Sequence, residues 1–80
     1  MQIKILGPGC RNCVTLERVT REAVADLGID AEIEKVTDYA AIAGYGVMST
    51  PGLVVDGEVV LYGRVPTAAQ VREILESQPA

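Results

Sequence analysis

The sequence predicts a small α/β protein in the order βαβαββα, with one mixed four-stranded sheet carrying helices on both faces. Three observations predict it. A β-prone run, Met1 to Leu6, hands over to a long stretch of helical periodicity. The dipeptide Asp56-Gly57 splits two short apolar runs, as a hairpin turn does. Thr67 to Gln70 forms a capping box ahead of a final apolar stripe. The 80 residues leave room for one core, so residues 1–80 are read as a single domain.

Each element has its own warrant. The first helix is expected from Arg11 to Leu27, stopped by Gly28, a natural residue just past a helix end. On a helical wheel Leu16, Val19, Ala23 and Leu27 share one arc, while Glu17, Arg18, Arg21, Glu22 and Asp26 fall on the solvent side. Ile29 to Val36 reads as a second, partly exposed strand. Thr37 or Asp38 caps a short helix from Tyr39 to about Tyr45, with Ile42 and Ala43 turned inward. Leu53–Val55 and Val59–Tyr62 form the hairpin, closed by Gly63. A last helix runs to about Glu76 on a stripe of Val71, Ile74 and Leu75, and Pro79 prevents its continuation. Joined through a helix, the first two strands should be parallel; the hairpin must be antiparallel.

Composition removes several classes of function. The chain has no His, which excludes Ser-His-Asp triads, Cys–His proteases and His-rich zinc sites. A structural zinc site needs four ligands, and only two cysteines exist. Seven basic against eleven acidic residues give a net charge of −4, a field that repels phosphate backbones, so no nucleic-acid partner is expected. The apolar runs are too short for a membrane span or a secretory signal, which makes the cytoplasm the expected location. One core can be buried by one chain, so a monomer is expected.

The chemistry rests on Cys10 and Cys13, in Gly7-Pro8-Gly9-Cys10-Arg11-Asn12-Cys13. They stand where the first strand passes into the first helix. Cys13 projects near the apolar arc and Cys10 further round, at the N-cap, so one thiol should be accessible and the other shielded. The thiolate is the reactive form, and a free thiol has a pKa of about 8.5. Unpaired N–H groups and the positive end of the helix dipole favour an anion at Cys10, and Arg11 adds a nearby positive charge. A lowered Cys10 pKa is expected. Cys10 would attack a disulfide and Cys13 would resolve the mixed disulfide. Thr50-Pro51 precedes the third strand, where base rates favour a trans bond.

The order of elements, with this Cys-x-x-Cys after strand one and Thr50-Pro51 before strand three, resembles the thioredoxin fold. It is most similar to the small thioredoxin/glutaredoxin-like group of redox-active disulfide proteins. Three stretches carry the resemblance: Gly7 to Cys13, Tyr45 to Gly57 and Gly63 to Pro66. It implies that Cys10 is the nucleophile, Cys13 the resolving residue and Pro51 a cis-proline, replacing the trans expectation. It further implies that the backbone of Thr50 pairs with an extended substrate segment and that Gly63 lets substrate backbone approach. Arg11-Asn12 between the cysteines departs from both thioredoxins and glutaredoxins. Lys4 stands where thioredoxins carry a buried acid, and is expected at the surface.

The reading is therefore a cytoplasmic thiol–disulfide oxidoreductase without a separate cofactor or metal. Its expected partners are protein disulfides and an unidentified reductase as electron donor. The alternative is a Cu(I) or arsenite carrier using the same thiolates. Small copper carriers of that kind end in a strand and place a Met-x pair before the first cysteine; this chain does neither. A domain that keeps the fold without turnover is a third reading, disfavoured by the intact cysteine pair.

Overall fold

A computed structural model of the chain describes residues 1–78. The elements are β1 (Gln2–Leu6), α1 (Arg11–Leu27), β2 (Glu32–Val36), α2 (Tyr39–Gly44), β3 (Gly52–Val55), β4 (Glu58–Tyr62) and α3 (Ala68–Glu76). The sheet order is β2-β1-β3-β4. β1 pairs in parallel with β2 and antiparallel with β3, and β3 pairs antiparallel with β4. The sheet is mixed, as expected. Between Leu53 and Val54 the β3–β4 register shifts, so that Leu53 faces Leu61 while Val54 faces Val59. Val60 is the extra residue of a bulge.

Local chemistry sets the helix ends. Cys10 is the N-cap of α1, and Gly28 closes that helix in the left-handed region at φ 63°. Of the two caps expected for α2, Asp38 is the one used; its carboxylate accepts the Ala41 N–H at 3.3 Å. Thr67 and Gln70 make both bonds of the capping box, at 3.2 and 2.9 Å. The stop expected from Pro79 lies outside the described residues.

Alternation along β1 divides the core between the two faces of the sheet. Ile3 and Ile5 point to a large cluster with Leu16, Val19 and Ala23 of α1, and Val71 and Leu75 of α3. Leu6 points the other way, to a smaller cluster with Ile42, Val47 and Val54 under α2. Helices therefore cover both faces. None among the described residues is long and apolar enough to cross a membrane.

Four expectations need correction. β2 begins at Glu32 rather than Ile29, because β1, its only sheet neighbour, begins at Gln2, which faces Glu32. Ile29 and Ala31 still pack against the large cluster from outside the ladder. Ala43 is exposed, since the short α2 turns only Ile42 fully inward. Ile74 and Leu27 are half-buried, and Thr20 is buried in their place, its hydroxyl donating to the Leu16 carbonyl at 2.7 Å. The Glu17 side chain is only 17% exposed rather than solvated, because Lys35 reaches it from β2.

Candidate active site

Cys10 and Cys13 are joined in a disulfide, with their Cα atoms 5.0 Å apart. The first turn of α1 brings them together. Cys10 has extended backbone (φ −66°, ψ 168°), and its sulfur accepts the Cys13 N–H at 3.3 Å, occupying one of the donors a helix start leaves free. Gly9 makes the approach possible at φ 96°, a region that side chains resist. The two sulfurs differ in environment, as the wheel predicts. Cys10 is exposed, whereas Cys13 is 5% exposed and faces the sheet.

The segment before β3 forms the opposite wall. The Thr50–Pro51 peptide is cis. Pro51 is buried and Thr50 half-buried. Thr50 reaches the dithiol through Gly7. The place a β-carbon would occupy on Gly7 is 3.8 Å from the Thr50 Cβ and 3.2 Å from the Cys13 Cβ. Among the described residues, the Thr50 N–H and carbonyl have no backbone partner, which leaves both free for an extended chain. Gly63 adjoins the same segment: its N–H donates to the Pro51 carbonyl at 2.9 Å, and a side chain on it would meet Ser49. That N–H is thus already used inside the protein. The five expected site residues lie in one neighbourhood, three of them on the two loops around Pro51.

Lys4 lies elsewhere. It shares the face of Leu6, away from Cys13, and is half-buried rather than fully at the surface. Its Nζ donates to the Tyr45 hydroxyl at 3.1 Å and lies 5.9 Å from that ring's centroid. The hydroxyl holds the ammonium above its usual range.

Beside Cys13 a cavity of about 80 Å³ is walled by Gly7, Val14, Glu17, Lys35 and Thr37 among others. Pockets for drug-sized ligands run to roughly 300–1,000 Å³, so this cavity is too small to enclose one. Sequence reasoning missed that Gly7, Glu17 and Lys35 share a cavity with Cys13. The helical wheel sees one helix at a time, and it had no means of placing β2 beside it.

Two sulfurs that bond to one another, one of them open to solvent, exchange electrons with other disulfides and thiols. With this sheet order and a bonded Cys-x-x-Cys pair at the start of α1, the class defined is a thiol–disulfide oxidoreductase of the thioredoxin fold. The family model described as a thioredoxin domain matches residues 1–76, and the chain belongs to that family. It is 48% identical over 75 residues to a thioredoxin of Methanothermobacter thermautotrophicus, covering 94% of this chain and 97% of that one. To a thioredoxin of Methanocaldococcus jannaschii it is 43% identical over 75 residues, covering 94% and 86% respectively.

Proposed function

We propose that Cys10 is the nucleophile and Cys13 the resolving residue of a one-domain reductant that acts on protein disulfides. The observation that carries this is the unequal exposure of two bonded sulfurs. An incoming disulfide can reach Cys10 and cannot reach Cys13. The Cys10 thiolate attacks one substrate sulfur; the substrate S–S bond breaks, and the departing thiolate takes a proton from solvent. Cys13 then loses its proton and attacks the Cys10 sulfur. The second substrate thiolate leaves, and two electrons have passed to the substrate. The N–H that Cys10 accepts from Cys13 supports a thiolate there before the attack.

Thr50 and Pro51 would hold the substrate chain, with the free Thr50 backbone supplying strand-like pairing and Gly63 leaving the approach open. A reductase would restore the dithiol. We place the protein in the cytoplasm as a monomer. The carrier alternative gains no support from relatives that are themselves thioredoxins.

The test is turnover with insulin and dithiothreitol. Cys10→Ser should abolish it. Cys13→Ser should retain attack and accumulate a mixed disulfide with the substrate. Turnover retained by Cys10→Ser, or no mixed disulfide in Cys13→Ser, would end the assignment. Thiolate absorbance should titrate at Cys10 below the ordinary value of about 8.5.

A further inference from the structure

We propose that Gly7 is a positioning residue of this centre. Its bare α-carbon forms the floor of the socket that keeps the Cys13 sulfur within bonding reach of Cys10. The inference rests on Cys13 being the resolving residue.

The argument starts from why a glycine stands there. The glycines with left-handed backbone among the described residues are Gly9, Gly28, Gly46, Gly57 and Gly63. Gly7 is not one of them, so a left-handed backbone is not what calls for glycine there. Space is what excludes other residues. A β-carbon on Gly7 would collide with the Cys13 sulfur and lie 3.2 Å from the Cys13 Cβ. No other described glycine has such a collision; the next tightest, Gly52, meets the Cδ1 end of the Leu6 side chain at 3.3 Å.

Neither party can move aside cheaply. The Gly7 N–H donates to the Val36 carbonyl at 2.9 Å, which ties the end of β1 to β2. Cys13 is fixed by the first turn of α1, and its side chain is short and buried. The Thr50 Cβ lies 3.8 Å from the same position, so the new β-carbon would also meet a second neighbour there. A methyl group at position 7 therefore displaces the sulfur itself. The step that suffers is the second one, in which the Cys13 thiolate must meet the Cys10 sulfur in line with the bond it breaks. The first step uses Cys10 alone and is spared.

The experiment uses the full chain, reduced and mixed with an aromatic disulfide that releases thionitrobenzoate. Attack by Cys10 releases one thionitrobenzoate, and displacement by Cys13 releases the second. In Gly7→Ala the first release should keep its rate, and the second should slow by about ten- to a hundredfold, the usual effect of misplacing a reacting atom by about 1 Å. Both releases at the wild-type rate would overturn the proposal. A urea-melt cycle provides a second reading that a general packing defect would not give. With Cys13→Ala as background, Gly7→Ala should lose most of its destabilising effect, because the colliding sulfur is gone. An unchanged effect there also overturns the proposal, and so does a double variant that fails to fold when Cys13→Ala alone folds. A Cys13→Ser protein that gives the second release at full rate refutes instead the resolving role of Cys13.

Discussion

Glu17 follows Cys13 by one helical turn and is held from two sides. Arg21 donates to its carboxylate at 3.0 Å and Lys35 approaches at 3.4 Å. The Arg21 hydrogen bond, aided by Lys35 and opposed by burial, keeps this carboxyl below its ordinary value of 4.5. The unfolded chain therefore takes up the Glu17 proton at a higher pH than the folded one. The stabilisation is complete above about pH 4.5 and is lost as the pH falls through the lowered folded value. Both cationic partners are more than half exposed, so Glu17→Gln should cost under about 1 kcal/mol at pH 7. It should also make stability less sensitive to acid, measured by urea melts at neutral pH and about pH 3; parallel losses in both proteins would contradict this. Lys4 has the opposite sign. Its raised pKa preserves a stabilising contact below the usual lysine value of 10.5, lost only as the pH climbs above it. At this scale the cysteine pair was legible from its spacing, whereas the cis bond at Pro51 was legible only through the family resemblance, base rates alone favouring trans. Gly7 was not legible. Its reason is a sulfur six residues further on, brought back by the turn into α1.

The helices were legible as elements because caps are local chemistry. Arg11–Leu27 follows the expected bounds, and Thr67 opens α3 with the expected box. Strand limits depend on a partner, and so β2 was read too long. The β3–β4 hairpin shows both cases. Asp56-Gly57 was legible as a turn, and the two residues sit at φ 50° and 85°, as a primed turn requires. The sequence did not disclose that the Asp56 carboxylate also accepts the Gln2 N–H at 2.8 Å, while its own N–H donates to the Gln2 carbonyl at 2.7 Å. The turn is thus fastened to the start of β1. Asp56→Asn keeps both an acceptor and a tolerance for positive φ and should be nearly neutral. Asp56→Ala loses both and should cost about 1–3 kcal/mol in thermal or urea melts. Equal stability of the two variants would show that the fastening contributes nothing.

The whole molecule is built unequally about its sheet. The face under α1 and α3 carries the larger cluster, and the face under α2 the smaller. Leu16→Ala, fully buried in the first, should cost about 2–5 kcal/mol. Ile42→Ala, in the second, should cost less, because the short α2 can settle toward the gap. Calorimetry of the pair checks the order, and a larger loss at Ile42 would reverse the picture. The general topology was legible because alternation, caps and turns agree with one another. The division of the core was not, since the short strand segments did not say which sheet face each side chain meets.

The burial of Cys13 behind an exposed Cys10 has a kinetic consequence. The centre has a single terminal. On the roles proposed above for Cys10 and Cys13, donor and acceptor dock at the same atom, so they visit in turn and never meet on the protein. Such a molecule is a shuttle that is charged in one encounter and discharged in the next, and its turnover follows ping-pong order whichever couple lies at either end.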